Sequence, residues 1–159
     1  MGVKAGLCLP ENFKVVEAIT PQAGAAITGD YVSLKNVLMA WVIMHINQAN
    51  AATMAITLEK ATAVAPTGST AITTAVPIWA NEDCAASDTL VRQTDAVSFT
   101  TSAAVKHKMV VFQVDPATLG AFDCLTVITA ASNAANITSG LYVLAERYQQ
   151  ATPPTAITD

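Results

Sequence analysis

The chain has 159 residues, of which 52% are hydrophobic and only 13% charged, with a formal net charge of −4; this fits one domain around one core and crowds two. The 8 Lys and Arg are spread singly, which leaves no basic stripe to track phosphates, so direct nucleic-acid binding is not expected. The longest apolar run, 37–44, falls far short of the ~20 residues that cross a bilayer as a helix. Residues 1–8 lack a signal-peptide hydrophobic region and carry Gly6 where a myristoylation motif has Ser or Thr; no membrane partner is expected.

Residues 1–30 read as an irregular arm, interrupted by Pro10, Pro21, Gly24 and Gly29, with only Phe13 to Ile19 able to form a short strand. From Tyr31 the pattern turns to β, and residues 31–149 read as one β-sandwich domain. Tyr31 to Leu34 is a short strand candidate, and Val37 to Ile46 is the strongest element in the chain. Its alternate positions, Val37, Met39, Trp41 and Ile43 against Leu38, Ala40, Val42, Met44 and Ile46, are apolar on both faces. A strand apolar on both faces needs cover on both. In a one-domain sandwich the second cover must be the arm, a loop or another subunit.

Asn47 to Asn50 reads as a hairpin loop. Thr53 to Lys60 alternates, with Met54, Ile56 and Leu58 on a core side and Thr53, Thr57 and Glu59 on a wet side. Pro66 to Ser69 is a turn, and Pro77 places Ala75 to Trp79 at an edge or a strand start. Further strands are expected at Thr89–Gln93, Ala96–Thr100, Lys108–Val114, Phe122–Thr129 and Leu141–Tyr148, with a single helical turn available to Ala130–Ala135. Eight or nine strands at this spacing predict an all-β sandwich of jelly-roll type. The segment 150–159, with Pro153-Pro154 and no apolar cluster, reads as an extended tail.

Residues able to do chemistry are sparse. His45 lies in the strongest strand and His107 between two lysines, and neither has a partner at metal-ligand spacing. Cys8, Cys84 and Cys124 show no CxxC pair and read as small core hydrophobes. Asp83 beside Cys84 raises rather than lowers a thiol pKa, and Glu82-Asp83 on a strand would point to opposite faces. Asn136-Ile137-Thr138 matches a glycosylation sequon by chance. No catalytic residue, metal or cofactor is expected, so an enzyme is not. Large aromatic residues in or beside the apolar strands, namely Phe13, Tyr31, Trp41, Trp79 and Tyr142, are the candidate interface residues.

The stretches ITPQAGAAITGDYVSLKN, AWVIMHINQANAATMAITLEKATAV, VPIWANEDCAASDTLVRQTD, VVFQVDPATLGAFDCLTVITAASNAANITSGLYVLAERY and PPTAI resemble small β-rich virion structural proteins of tailed bacteriophages, of the capsid decoration or cement type. The resemblance implies a protein made in the bacterial host cytoplasm and placed on the capsid surface. Its partners would be the major capsid protein lattice and further copies of itself; the need to cover both apolar faces of Val37 to Ile46 separately predicts a trimer or other small cyclic oligomer. The arm and tail would act as inter-subunit straps. Alternative positions are the tail tube or the head-to-tail joint; a different alternative is a module that binds a host glycan through Trp79 or the loop around Asn133.

Overall fold

The computed structural model describes residues 8–66 and 68–148; residues 1–7 of the expected arm and the expected tail from 150 to 159 lie outside the described residues. A one-turn helix α1 (Leu9–Asn12), with Pro10 in its first turn, runs straight into β1 (Phe13–Ala23). The strands β2 (Ile27–Thr28), β3 (Val32–Ser33), β4 (Val37–Asn47), β5 (Ala55–Ala61), β6 (Thr70–Ala71) and β7 (Ile78–Asn81) follow. Then come β8 (Val91–Arg92), β9 (Ser98–Thr100), β10 (His107–Val114), β11 (Cys124–Thr129) and β12 (Ile137–Glu146). A 3-10 turn at Pro116–Leu119 separates β10 from β11, and the Asp115 carboxylate caps it by accepting from the Ala117 N–H at 2.9 Å, which is what an Asp-Pro step favours.

The strands form two antiparallel sheets. The first has the order β1-β12-β4-β10-β7-β8; the second has β2-β11-β5-β6, with β3 also on β11 and β9 also on β5. The pairing is nested: β1 with β12, β2 and β3 with β11, β4 with β10, and β5 with β9. The pairs β12–β4 and β11–β5 join these into sheets. That is the jelly-roll pairing, so the expected all-β sandwich is what the chain forms, with β6, β7 and β8 as additions. Period-2 alternation supplies the core from both sheets: Ala40, Val42, Met44 and Ile46 of β4 and Val110, Phe112 and Val114 of β10 meet Ile56, Leu58, Leu125 and Val127 of the second sheet.

Several expectations are corrected. The part of the arm from Phe13 to Ala23 is sheet: β1 is a full eleven-residue strand, held along its length by β12. Pro21 is tolerated because β1 is an edge strand, where a missing N–H leaves no ladder bond unmade. Asn47 to Asn50 is not a hairpin loop, since β4 and β5 lie in different sheets and the segment crosses between them. Ala130–Ala135 forms no helix; it is a turn closed by the Asn136 N–H to Asn133 O bond of 2.9 Å. Its backbone is held by the Ala130 N–H to Ala55 O bond of 2.9 Å and the Ser132 N–H to Gly24 O bond of 2.8 Å, while the buried Asn136 side chain accepts from the Asn50 N–H and donates to Ala52 O and Ser132 Oγ. That leaves its amide no room to serve as a sequon.

The expected faces of β4 are also corrected at one end. Ala145 pairs with Met39 but Glu146 pairs with Val37, so Leu38 is an extra residue in a bulge. Val37 therefore turns inward with Ala40 and Val42, while Leu38 is exposed. A second bulge in β1, between Glu17 and Ile19, lets both Ala18 and Ile19 face the core.

Candidate functional site

The first sheet turns one face to the core and the other outward, and the outward face is apolar across four strands. Registers place Val15, Val143, Trp41 and Gln113 in one cross-strand row, and Glu17, Leu141, Ile43, Val111 and Trp79 in the next. Val15 and Leu141 are 43% and 45% exposed, and Trp41, Ile43, Val111 and Val143 are half-buried. Phe13 meets Trp41 edge-on with ring centroids 6.0 Å apart, the arrangement that aromatic quadrupoles favour. A shallow apolar hollow of about 320 Å³ sits in this face, lined among others by Ile43, Met109 and Leu141.

Polar groups rim the face. The rings of His45 and His107 lie nearly parallel with centroids 6.4 Å apart; both side chains are exposed. On the far side the Arg92 guanidinium lies over the Trp79 ring at 4.8 Å and also pairs with the Asp95 carboxylate. One face of the Trp79 ring is thus already occupied by a cation.

Of the five candidate interface residues, three lie on the outward face: Trp41 near its centre, Phe13 reaching it from the start of the edge strand β1, and Trp79 at the opposite margin. Tyr31 does not join them; it is half-buried on the other side of the sandwich, where its hydroxyl donates to Ser69 Oγ at 3.1 Å. Tyr142 is corrected outright. Its side chain is fully buried between the sheets, with its hydroxyl donating to Asp30 O at 2.8 Å and accepting from the Val127 N–H at 3.1 Å. Burial drives its phenol above the ordinary tyrosine pKa. The sequence reading missed Val15, Val111, Leu141 and Val143. The signal for them is apolar residues at both parities of β1, β10 and β12, the same signal that marked β4.

The groups capable of chemistry are structurally engaged. Burial, and next the Asp83 carboxylate, push the Cys84 thiol up, and burial does the same to Cys124; neither is an activated nucleophile. Asp83 is held below the usual carboxylate range mainly by its hydrogen bond from Lys106, whose Nζ lies 2.8 Å away. Among the described residues no group of three or more His, Cys, Asp or Glu side chains is placed to hold a metal ion, and no helix is long and apolar enough to cross a membrane.

Lys108 is the unusual ionisable group. It is fully buried on the core side of β10, its ammonium donating to Ser102 O at 2.6 Å and Ser102 Oγ at 2.9 Å, with Glu82 at 3.9 Å. Desolvation lowers its pKa below the ordinary lysine value, against a smaller opposing pull from Glu82. The folded state therefore binds fewer protons than the unfolded chain between the lowered value and 10.5, and stability rises with pH across that window. Lys108→Met removes the term while Gln48 Nε2 still serves Ser102 O. Its stability at pH 7 is expected within about 2 kcal/mol of the parent, and its standing relative to the parent should fall as pH climbs toward 10.5. Urea midpoints at stepped pH measure this; parallel pH curves for the two proteins would contradict it.

No protein-family model matches the chain, and no curated protein matches it. Among solved structures, the SPBc2 prophage-derived protein YomS is similar at 10% identity and a TM-score of 0.48, over 84% of this chain and 94% of that one. The coat protein of Tobacco streak virus, solved as a dimer, is similar at 11% identity and a TM-score of 0.27, over 92% and 94% of the two chains. A structure of the Gx strain of infectious bursal disease virus gives 10% identity and a TM-score of 0.25, over 83% of this chain and 39% of that one.

Proposed function

We propose that this chain is a virion structural protein, acting as a decoration protein that binds the head lattice of a tailed phage and stabilises it through contacts repeated by symmetry. The observation that carries the reading is the outward face of the first sheet. Four strands at ~4.8 Å spacing and about seven residues at ~3.3 Å give a patch on the order of 400–500 Å², near the upper end of what monomers leave exposed. At ~25 cal/mol per Å², covering it yields roughly 10 kcal/mol gross. Association itself costs ~4–15 kcal/mol, so one such contact is marginal. Several held together by symmetry are not, because each later contact forms at high effective concentration. A ligand of the assembled shell alone then stabilises that shell by mass action.

A surface with so few charges is consistent with close neighbours, since self-repulsion is weak. The test is a double variant, Trp41→Asp with Leu141→Asp, compared with the parent by sedimentation velocity and by copy number on purified particles. The parent is expected as a trimer or other small cyclic oligomer, present in hundreds of copies per particle. The variant is expected to stay β-folded, become monomeric and lose particle occupancy about tenfold or more. A parent that is monomeric and absent from particles, or present at about a dozen copies as at a neck, would refute the decoration role.

A further inference from the structure

We propose that His45 and His107 form a two-imidazole binding site for one divalent first-row transition ion, at the end of the outward face of the first sheet. In the antiparallel register of β4 and β10, His45 stands opposite Met109 and His107 stands opposite Asn47. The two histidines are therefore diagonal neighbours of one parity, and both side chains are exposed on the face that carries Trp41 and Val111. Their rings are 13° from parallel, with centroids 6.4 Å apart. Strand pairing thus joins two residues that are far apart in sequence and that each lack a ligand partner nearby along the chain.

The ring nitrogens are free to ligate: among the described residues neither imidazole makes a hydrogen bond or an ion pair. The lysines on either side of His107 do not crowd the pair with positive charge. The Lys106 ammonium is held by the Asp83 carboxylate at 2.8 Å, and that of Lys108 is buried on the core side against Ser102. The cross-strand neighbours Met109, Asn47 and Ser139 are neutral. A cation approaching the two rings from solvent therefore meets lone pairs and no fixed like charge beside them.

An ion that holds two imidazoles side by side at metal–nitrogen distances of ~2.0–2.1 Å sets their ring centres roughly 4.5–5.5 Å apart. The pair has to close by about 1–2 Å, which exposed side chains reach through small torsional changes with the backbone fixed. Imidazole suits Ni²⁺, Cu²⁺ and Zn²⁺, with Cu²⁺ the tightest. Mg²⁺ and Ca²⁺ take oxygen ligands, which the pair does not offer. Two protein ligands leave the ion open to water or to a further donor. The site lies within one chain, so it stands whether or not the outward face docks on a capsid.

Titration of the untagged full-length chain with Ni²⁺ tests it; Ni²⁺ is paramagnetic and, unlike Cu²⁺, does not oxidise the free thiols. Calorimetry is expected to show saturable binding, and substoichiometric Ni²⁺ should broaden the NMR signals of His45, His107 and Met109 before all others. His45→Gln and His107→Gln should each weaken binding about tenfold or more, because the second imidazole acts at high effective concentration once the first is engaged. Both positions are exposed, so the metal-free unfolding midpoints should match the parent. Cys84→Ser, at the residue whose N–H bonds His107 O, should keep the parent affinity, and Ca²⁺ should not bind there. Absence of Ni²⁺ binding, equal affinity in the parent and the double histidine variant, or broadening centred elsewhere would overturn the proposal. So would a loss in Cys84→Ser with retention in the histidine variants, which would assign the ion to the thiol.

Discussion

Tyr142→Phe is expected to lower stability by about 2–4 kcal/mol although it removes a single oxygen. The reason lies in how the second sheet is interrupted. β11 pairs with β3 through Leu125 and with β2 through Ile128, so Val127 stands at the gap between two short edge strands. The chain between them, Gly29 to Tyr31, swings away toward β1, where the Asp30 N–H bonds to Ala18 O at 2.8 Å. The Val127 N–H and the Asp30 carbonyl would be left without ladder partners. The Tyr142 hydroxyl, reaching across the core from the first sheet, serves both. A buried amide stripped of its only partner costs ~1–3 kcal/mol; that is the Val127 N–H, and the part-buried bond to the Asp30 carbonyl is lost with it. The expected loss is a melting point about 5–15 °C lower. Tyr31→Phe is the control: its hydroxyl bonds a half-buried serine at the surface, and its loss should cost under about 1 kcal/mol. Urea unfolding of the three proteins measures the difference; equal losses for both variants would refute the assignment.

The strongly patterned strands were legible because β-branched and aromatic residues at period 2 leave no helical alternative. Val37 to Ile46, Thr53 to Lys60 and Lys108 to Val114 fall within a residue or two of β4, β5 and β10. β1 was not legible as a whole strand. Its partner is β12, more than a hundred residues away in sequence, and nothing local distinguishes an edge strand carrying a proline from an arm. The same non-locality hid the crossover at Asn47 to Asn50, since a polar loop between two apolar runs reads alike whether the runs share a sheet or face each other.

The candidate surface was half legible for a related reason. Two-sided apolar character marked both faces of β4 as apolar, and the structure turns the one carrying Trp41 and Ile43 away from the core. It could not say which parity of β12 faces in, because Leu141, Tyr142, Val143 and Leu144 are all apolar enough for either face. Packing decides: Gly140 lies against Met44, where a Cβ would come within 2.6 Å of the Met44 sulfur. That close approach fixes Gly140, and with it Tyr142 and Leu144, on the inside. Bulges at Leu38 and Ala18 shift parity in mid-strand, and a count of alternating residues does not register them.

Gly29→Ala should cost at least as much as the loss of the Tyr142 hydroxyl, on the order of 3 kcal/mol or more. Gly29 lies where the chain bridges the two sheet edges, its N–H bonded to Val127 O at 2.8 Å and the next N–H bonded to Ala18 O. A methyl group built on it would stand 2.8 Å from Ala18 O and 2.8 Å from Val127 O, one carbonyl in each sheet. Neither can turn away as a side chain would, because each belongs to a paired strand. Relief requires the sheets to part locally, and parting them also stretches the bonds that hold Asp30 and Tyr142. Gly140→Ala meets instead a flexible thioether that can change rotamer within the core, and about 1–2 kcal/mol is expected there. The order Gly29→Ala above Gly140→Ala, read from thermal and urea unfolding, distinguishes an obstruction by backbone from one by side chain. The reverse order would mean that the sheet edges at Gly29 separate more easily than the core around Met44 rearranges.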